Sequence, residues 1–285
     1  MIRRSEQSAM DVWRNIFRPA LVASVLVSSP VSCSVKEDRM ECPVYVTVLM
    51  DRFVQRGWND GTVSFSADRL LARDEINFLS YLRDGYEQAC PRDFARAAVL
   101  AGVDRSRVAE EVLFVPSGQQ ADLLWAFGTS FSADEDAFVV DAVPHKQYCL
   151  VKFYFDENPT APEGYPWRFR LKAECSGMNI YNLQPVEGAY CANVGPNAVG
   201  EWIGVLPRQK ENTMILELYL PDADDPEEGA TDCVVDLGKA FEKQGYDWTR
   251  EDLADIVVKV GMTEAGITVS VQPWEGDDTY HKVEI

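Results

Sequence analysis

The sequence predicts a mainly all-β chain folded into antiparallel β-sandwiches, and three observations carry that expectation. Apolar and β-branched residues recur with a period of two in segment after segment, as half-buried strands require. Turn-forming clusters at residues 157–164, 221–229 and 261–266 punctuate those segments. Helical spacing shows in only two stretches. At 285 residues, 46% hydrophobic and 11% aromatic, the chain is long enough for two domains and apolar enough to fill a core in each.

The first strand is expected at residues 42–50, where Val44, Val46, Val48 and Met50 share one parity against Tyr45, Thr47 and Leu49. Residues 66–85 place Leu71, Phe78, Leu79 and Leu82 on a helical stripe broken by Arg73, Asp74 and Glu75, and are read as a helix or an irregular insertion. Strands follow at 93–102, at 111–118 and at 137–144, the last closed by Pro144. Beyond that proline the alternation sharpens. Cys149, Val151, Phe153 and Phe155 share one face; Phe169, Leu171, Ala173 and Cys175 point inward against Arg168, Arg170, Lys172 and Glu174. Met214, Leu216, Leu218 and Leu220 form another inward set, as do Ile267, Val269 and Val271. A short helix is expected at 249–256, because Thr249 and Asp252 have capping-box spacing. No repeat of fixed period is present.

Residues 1–32 differ in composition. A net-positive stretch leads into eight apolar or small residues, "ALVASVLV", the order of a secretory signal and far short of the ~20 residues a membrane span needs. The formal net charge is −19; without residues 1–32 the remainder carries 23 basic and 44 acidic residues, a net of −21. Such a polyanion repels phosphates and anionic headgroups, which argues against nucleic acid as a partner. If the leader is a signal, Cys33 falls where a lipoprotein signal peptidase leaves a new N-terminal cysteine. Acylation there would give durable anchoring through two or more chains. Pro30 departs from the aliphatic residue usual at that place, while Val31 and Ser32 fit. The competing reading puts cleavage elsewhere and leaves Cys33 an ordinary thiol.

The stretch "CSVKEDRMECP" resembles the mature start of the fimbrillin-type surface lipoproteins of Bacteroidales, where the lipid cysteine precedes a Lys-acid-acid tag. Lys36, Glu37 and Asp38 match that tag, which in the group accompanies display on the outer face of the outer membrane. The segments "VPHKQYCLVKF" and "DLGKAFEKQGYDWTREDLADIVVKV", with "ITVSVQPWE", are similar to the family's second domain, and "VPSGQQADLLWAFG" to the end of its first. Residues 50–90 match poorly. The resemblance implies two tandem transthyretin-like sandwiches: a signal peptide at 1–32, an N-terminal domain at 33–143 and a C-terminal domain at 144–285. It also implies other fimbrial subunits as partners. Shaft and tip subunits of that family are cut after an arginine, and the vacated groove takes a neighbour's strand. Arg39, Arg52 and Arg56 are the candidate cleavage sites here: Arg39 would spare the first strand, Arg52 would remove it. An anchor keeps both lipid and strand, and the compact start resembles the FimB-type anchor group.

Catalytic signals are scarce. Only two histidines occur, His145 and His281, expected in a turn and in the tail, so a three-histidine metal site is impossible. There is no nucleophile elbow, phosphate loop or dinucleotide fingerprint, and no cofactor or metal is expected. The acidic run 221–229 lacks the alternation of a calcium loop and is interrupted by Pro226; a solvated turn and weak calcium binding are its two readings. Six cysteines besides Cys33 allow 15 pairings, and the inward parity of Cys149, Cys175 and Cys233 favours buried thiols, with one disulfide open in an oxidising envelope. Trp58, Tyr165, Trp167, Trp202 and Trp274 could stack on sugars or plug the ends of the sandwiches. The expected function is therefore a non-catalytic, lipid-anchored fimbrial anchor or accessory subunit at the outer membrane surface. The alternative is a surface lipoprotein that binds glycans or host ligands without a polymer.

Overall fold

The computed structural model describes residues 42–273 except 69, 134, 226–228 and 264–265. Cys33, Lys36, Glu37, Asp38 and Arg39 lie outside the described residues, as do Trp274 and His281. The described residues fall within one compact unit.

The first half contains β1 (Val44–Leu49), α1 (Asp51–Gln55), β2 (Asp60–Ala67), β3 (Leu70–Asn77), β4 (Tyr86–Cys90), β5 (Phe94–Ala101), β6 (Val108–Ala109), β7 (Val112–Phe114), β8 (Trp125–Ser132) and β9 (Ala137–Asp141). The second contains β10 (His145–Lys146), β11 (Tyr148–Phe155), β12 (Arg168–Asn179), β13 (Pro185–Val194), β14 (Trp202–Pro207), β15 (Ile215–Pro221), β16 (Gly229–Asp236), α2 (Leu237–Lys243), β17 (Ile256–Thr263) and β18 (Gly266–Pro273).

Four sheets make two sandwiches. In the first, the three-stranded sheet β4-β1-β9 closes over the five-stranded sheet β10-β8-β5-β2-β3, around a core that includes Val46, Val48, Phe65, Val99 and Val140. In the second, β14-β11-β17-β18 closes over β16-β15-β12-β7-β6, with β13 on the other edge of β12. Its core takes Val151, Phe153, Phe169, Leu171, Leu216 and Val258. The residues expected to point inward from β11 and the first part of β12 all enter the core; in β12 a single buried face selects them, whereas β11 is covered on both faces, with Tyr148 and Leu150 packing beside Val205 in a separate cluster. Among the described strands each sandwich has one parallel pair, β1 with β9 and β11 with β17. Periodicity reports burial and not strand direction, so these pairs were not foreseen.

Sheets and chain halves do not coincide. The hairpin β6–β7 precedes residue 143, yet β7 pairs with the end of β12; β10 follows it, yet pairs with β8. β5 explains how the halves meet. Its odd residues Ala95, Ala97 and Val99 face the first core, while Ala98 and Leu100 join Val108, Leu113, Met178 and Ile180 in a cluster at the junction. A strand buried on both faces reads as a continuous apolar run, as "AAVLA" does.

Three expectations need correcting. Residues 66–85 are not a helix: they complete β2, form β3 and end in a 3-10 turn at Phe78–Tyr81. Arg73, Asp74 and Glu75, which broke the helical stripe, sit on an edge strand paired to β2, where charge is tolerated and Arg73 Nη1 donates to Val108 O at 3.1 Å. Leu71, Leu79 and Leu82 are exposed. No helix occupies 249–256 either. The short helix is α2, capped by the Asp236 carboxylate accepting from Lys239 N at 2.9 Å. Thr249 instead closes a turn on Asp247, and Asp252 accepts from Lys146 N at 2.7 Å. Finally, Leu220 is 45% exposed near the end of β15, where β16 bulges opposite Leu218 and Tyr219; Tyr219, level with Arg168, is 1% exposed beneath the Arg170 guanidinium, 4.4 Å from its ring.

Candidate functional site

Two places combine unusual burial with unusual chemistry: the slot that holds β1, and a cavity where the two sandwiches meet. β1 is hydrogen-bonded along both edges, antiparallel to β4 and parallel to β9. Its side chains Val44, Val46 and Val48 are fully buried, and Met50 after it is 1% exposed. Behind the strand, α1 buries Phe53, whose ring meets Phe78 edge-on at 5.4 Å. The turn before β4 is closed by Gly85 at φ +73°, where a Cβ would stand 2.5 Å from the Thr47 side chain. Of the candidate cleavage residues, Arg52 projects from α1 with Nε 3.9 Å from Asp141 Oδ2. Arg56 lays its guanidinium 4.8 Å over the Trp125 ring.

The junction beside this slot is polar as well as apolar. Tyr181 Oη and Ser64 Oγ share a buried hydrogen bond of 2.9 Å. The Arg96 guanidinium stacks 4.9 Å from the Tyr181 ring while pairing with the Glu111 carboxylate. These contacts tie β2 and β5 of the first sandwich to the loop after β12.

The cavity, of about 390 Å³, opens at the junction between β10, the loop after β14 and the turn at 248–251. Arg208 dominates it. This buried guanidinium donates through Nε to Gln147 Oε1 (2.8 Å), through Nη1 to Trp248 O and through Nη2 to Glu251 O (2.9 Å). Burial pulls its pKa below the usual arginine range. Lys210 and Arg250 add two exposed cations, Lys210 paired to Glu187 at 2.7 Å. His145 Nδ1 is buried without a hydrogen-bond partner among the described residues, 3.7 Å from Asp252 Oδ1 and 4.0 Å from Glu251 Oε2. Sequence reasoning placed His145 in a turn and missed Arg208 altogether. The only trace of Arg208 is a run of polar residues, "RQK", directly after an apolar strand.

The other residues singled out in the sequence fall into structural places. Trp202 is buried, Tyr165 and Trp167 pack on the second core, and Trp58 packs on the first. Trp167 Nε1 donates to Asp232 at 2.8 Å. Among the described residues Cys42, Cys90, Cys149, Cys175, Cys191 and Cys233 are free thiols, and no group of three metal-ligating side chains gathers. Burial pushes the thiols of Cys90 and Cys149 up to about 11 and about 12. No helix among the described residues is long and apolar enough to cross a membrane.

Fold and junction together define a tandem β-sandwich protein whose two modules share strands. No family model matches the sequence, and no curated protein matches it either. By structure the chain is similar to a candidate adhesin from Bacteroides ovatus, at 8% identity and a TM-score of 0.54, over 82% of this chain and 94% of that one. It is likewise similar to the fimbrial anchor protein Mfa2 from Porphyromonas gingivalis, at 13% identity and a TM-score of 0.54, over 82% of this chain and 98% of that one. At such identities the likeness establishes the fold.

Proposed function

We propose that this chain is a non-catalytic, lipid-tethered anchor or accessory subunit of a surface fimbria, of the FimB type, held to the outer membrane through Cys33. On this reading residues 1–32 are the signal and Lys36, Glu37 and Asp38 the surface-export tag. The modules divide near residue 143, with β6–β7 and β10 lent across the boundary. The observation that carries the proposal is the state of β1. Cleavage after Arg52 would strip Val44, Val46, Val48 and Met50 from the first core. At about 2 kcal/mol for each buried apolar side chain, the loss approaches the whole stability of an ordinary domain. A subunit that keeps this strand stays closed on itself and suits the base of a fibre, whereas shaft subunits depend on a neighbour to refill the slot. The likeness to the fimbrial anchor Mfa2 supports the same reading. Ten residues separate Cys33 from Val44, a tether of at most about 40 Å. Processing at Arg39 is compatible with a retained strand but would release the lipid; Arg52 and Arg56 lie beyond β1.

Palmitate labelling with Cys33→Ala as control, and the mass of the mature N-terminus, test the tether. If the alanine variant still takes label, or the mature chain begins after Arg52, the anchor reading falls. Co-purification with a fibre subunit tests the partner. The second reading, a glycan- or host-ligand-binding surface lipoprotein without a polymer, is favoured by one feature, the cationic cavity at the junction.

A further inference from the structure

We propose that the junction cavity is a binding site for a carboxylated sugar of the uronic acid type, with the carboxylate held by Arg208 and Arg250. The proposal stands whether or not the chain joins a fibre.

Charge is the first argument. Among the described residues Arg208 makes no ion pair; its three hydrogen bonds go to a side-chain amide and two backbone carbonyls, all neutral. A guanidinium carries five N–H groups, so two remain for a ligand. Burying a cation against neutral partners alone is costly, and an incoming anion offsets that cost. Arg250 has no ion-pair partner among the described residues, and the nearest acid in the lining, Glu251, turns its carboxylate toward His145. Asp252 and Asp247 act on Arg208 from beyond ion-pair distance, so a carboxylate would be held by direct hydrogen bonds to the guanidinia and not by a local excess of positive charge.

Shape and polarity narrow the class. About 390 Å³ falls in the range of small-molecule sites and far exceeds a bare carboxylate. The wall combines apolar surface from Leu183 and Pro185 with polar groups that hydroxyls can satisfy. One of these is the Gln184 side chain. Another is the Thr249 hydroxyl, whose oxygen can accept a bond while it donates to Asp247 Oδ1. A carboxylate on a compact, hydroxyl-rich ring matches both sets at once.

The test is a titration of the mature chain with galacturonate, followed by ligand-observed NMR and calorimetry, with galactose and acetate as comparators. Galacturonate should saturate with a Kd of roughly millimolar order. Galactose should bind about tenfold or more weakly, lacking the charge-assisted bonds, and acetate weaker still. Arg208→Gln should abolish binding. Because that variant is buried and could fail to fold, Arg250→Gln and Gln184→Ala carry the test independently, each weakening galacturonate several-fold with an unchanged melting temperature. Equal binding of galactose, equal binding of acetate, absence of saturation by about 50 mM, or an unaltered titration in Arg250→Gln each overturns the proposal. None of these outcomes touches the tether or the fibre, whose tests are labelling and co-purification.

Discussion

Gln209 pairs with the Cys175 peptide as a strand would: its Oε1 accepts from Cys175 N at 2.9 Å and its Nε2 donates to Cys175 O at 2.9 Å. The reason lies in β12, whose free edge is covered by β15 as far as Lys172 and by β7 only from Gly177. Between them the backbone would be buried and unpaired, and one side-chain amide fills the gap. Gln209→Leu keeps the bulk and removes both bonds, so it should lower stability by about 2–4 kcal/mol. Urea unfolding measures it, with Gln55→Leu on the surface as a control near zero. An unchanged midpoint for Gln209→Leu would mean that water or a neighbour already satisfies Cys175.

Gly128 predicts a second loss, at the junction. A Cβ there would stand 2.6 Å from both Ile180 O and Tyr181 O, backbone atoms that cannot swing aside. Gly128→Ala should cost about 1–3 kcal/mol and loosen the two sandwiches together, seen as faster amide exchange in β5 and in residues 179–183. Gly195→Ala, whose nearest neighbour would be 3.9 Å away, should be neutral.

Alkaline pH should destabilise the fold through its buried thiols. Cys90 and Cys149 keep their protons to about 11 and about 12 when folded, against 9.0 for an ordinary thiol, and burial holds Tyr148 up to about 12. Between about pH 9 and those values the native state retains protons that the unfolded chain has released. Stability from these groups is therefore undiminished below pH 9 and falls as pH rises through that window. Urea midpoints at pH 8 and 10.5 should show the drop, and Cys149→Ala should make it shallower. Alkylation mapped by mass should modify Cys42 and spare Cys90, Cys149 and Cys175 in the native chain.

Arginine-specific proteolysis probes β1. The bond after Arg52 precedes the buried Phe53, so cutting requires α1 to open first. Cleavage there should be slow, and Val46→Ala, a loss of about 2 kcal/mol, should speed it by about thirtyfold if opening is global. Rapid native cleavage after Arg52, with β1 leaving the molecule, would instead favour a shaft subunit.

Much of the fold was legible as alternation. β12 shows it best, because one face of its first part is dry and the other wetter, and a period of two records that difference residue by residue. Where the period was interrupted the reading failed for identifiable reasons. Edge strand β3 carries its charges because it is an edge, which a local pattern cannot know. The bulge in β16 opposite Leu218 and Tyr219 leaves no mark on composition. The capping spacing of Thr249 and Asp252 was real as chemistry, but both side chains were engaged elsewhere, by Asp247 and by Lys146.

The sequence by itself determined the class of fold, the inward residues of the regular strands and the acidic surface, since these follow from local period and charge. Residues 33–39 hold the cysteine and the charged run on which the proposed tether rests. Tertiary structure alone decided the parallel pairs β1–β9 and β11–β17, the exchange of strands between halves, and the meeting of Arg208, Arg250 and His145 in one cavity. Those depend on which distant segments lie side by side, and the packing energy that chooses between them is spread over two cores, leaving no mark on any short stretch of chain.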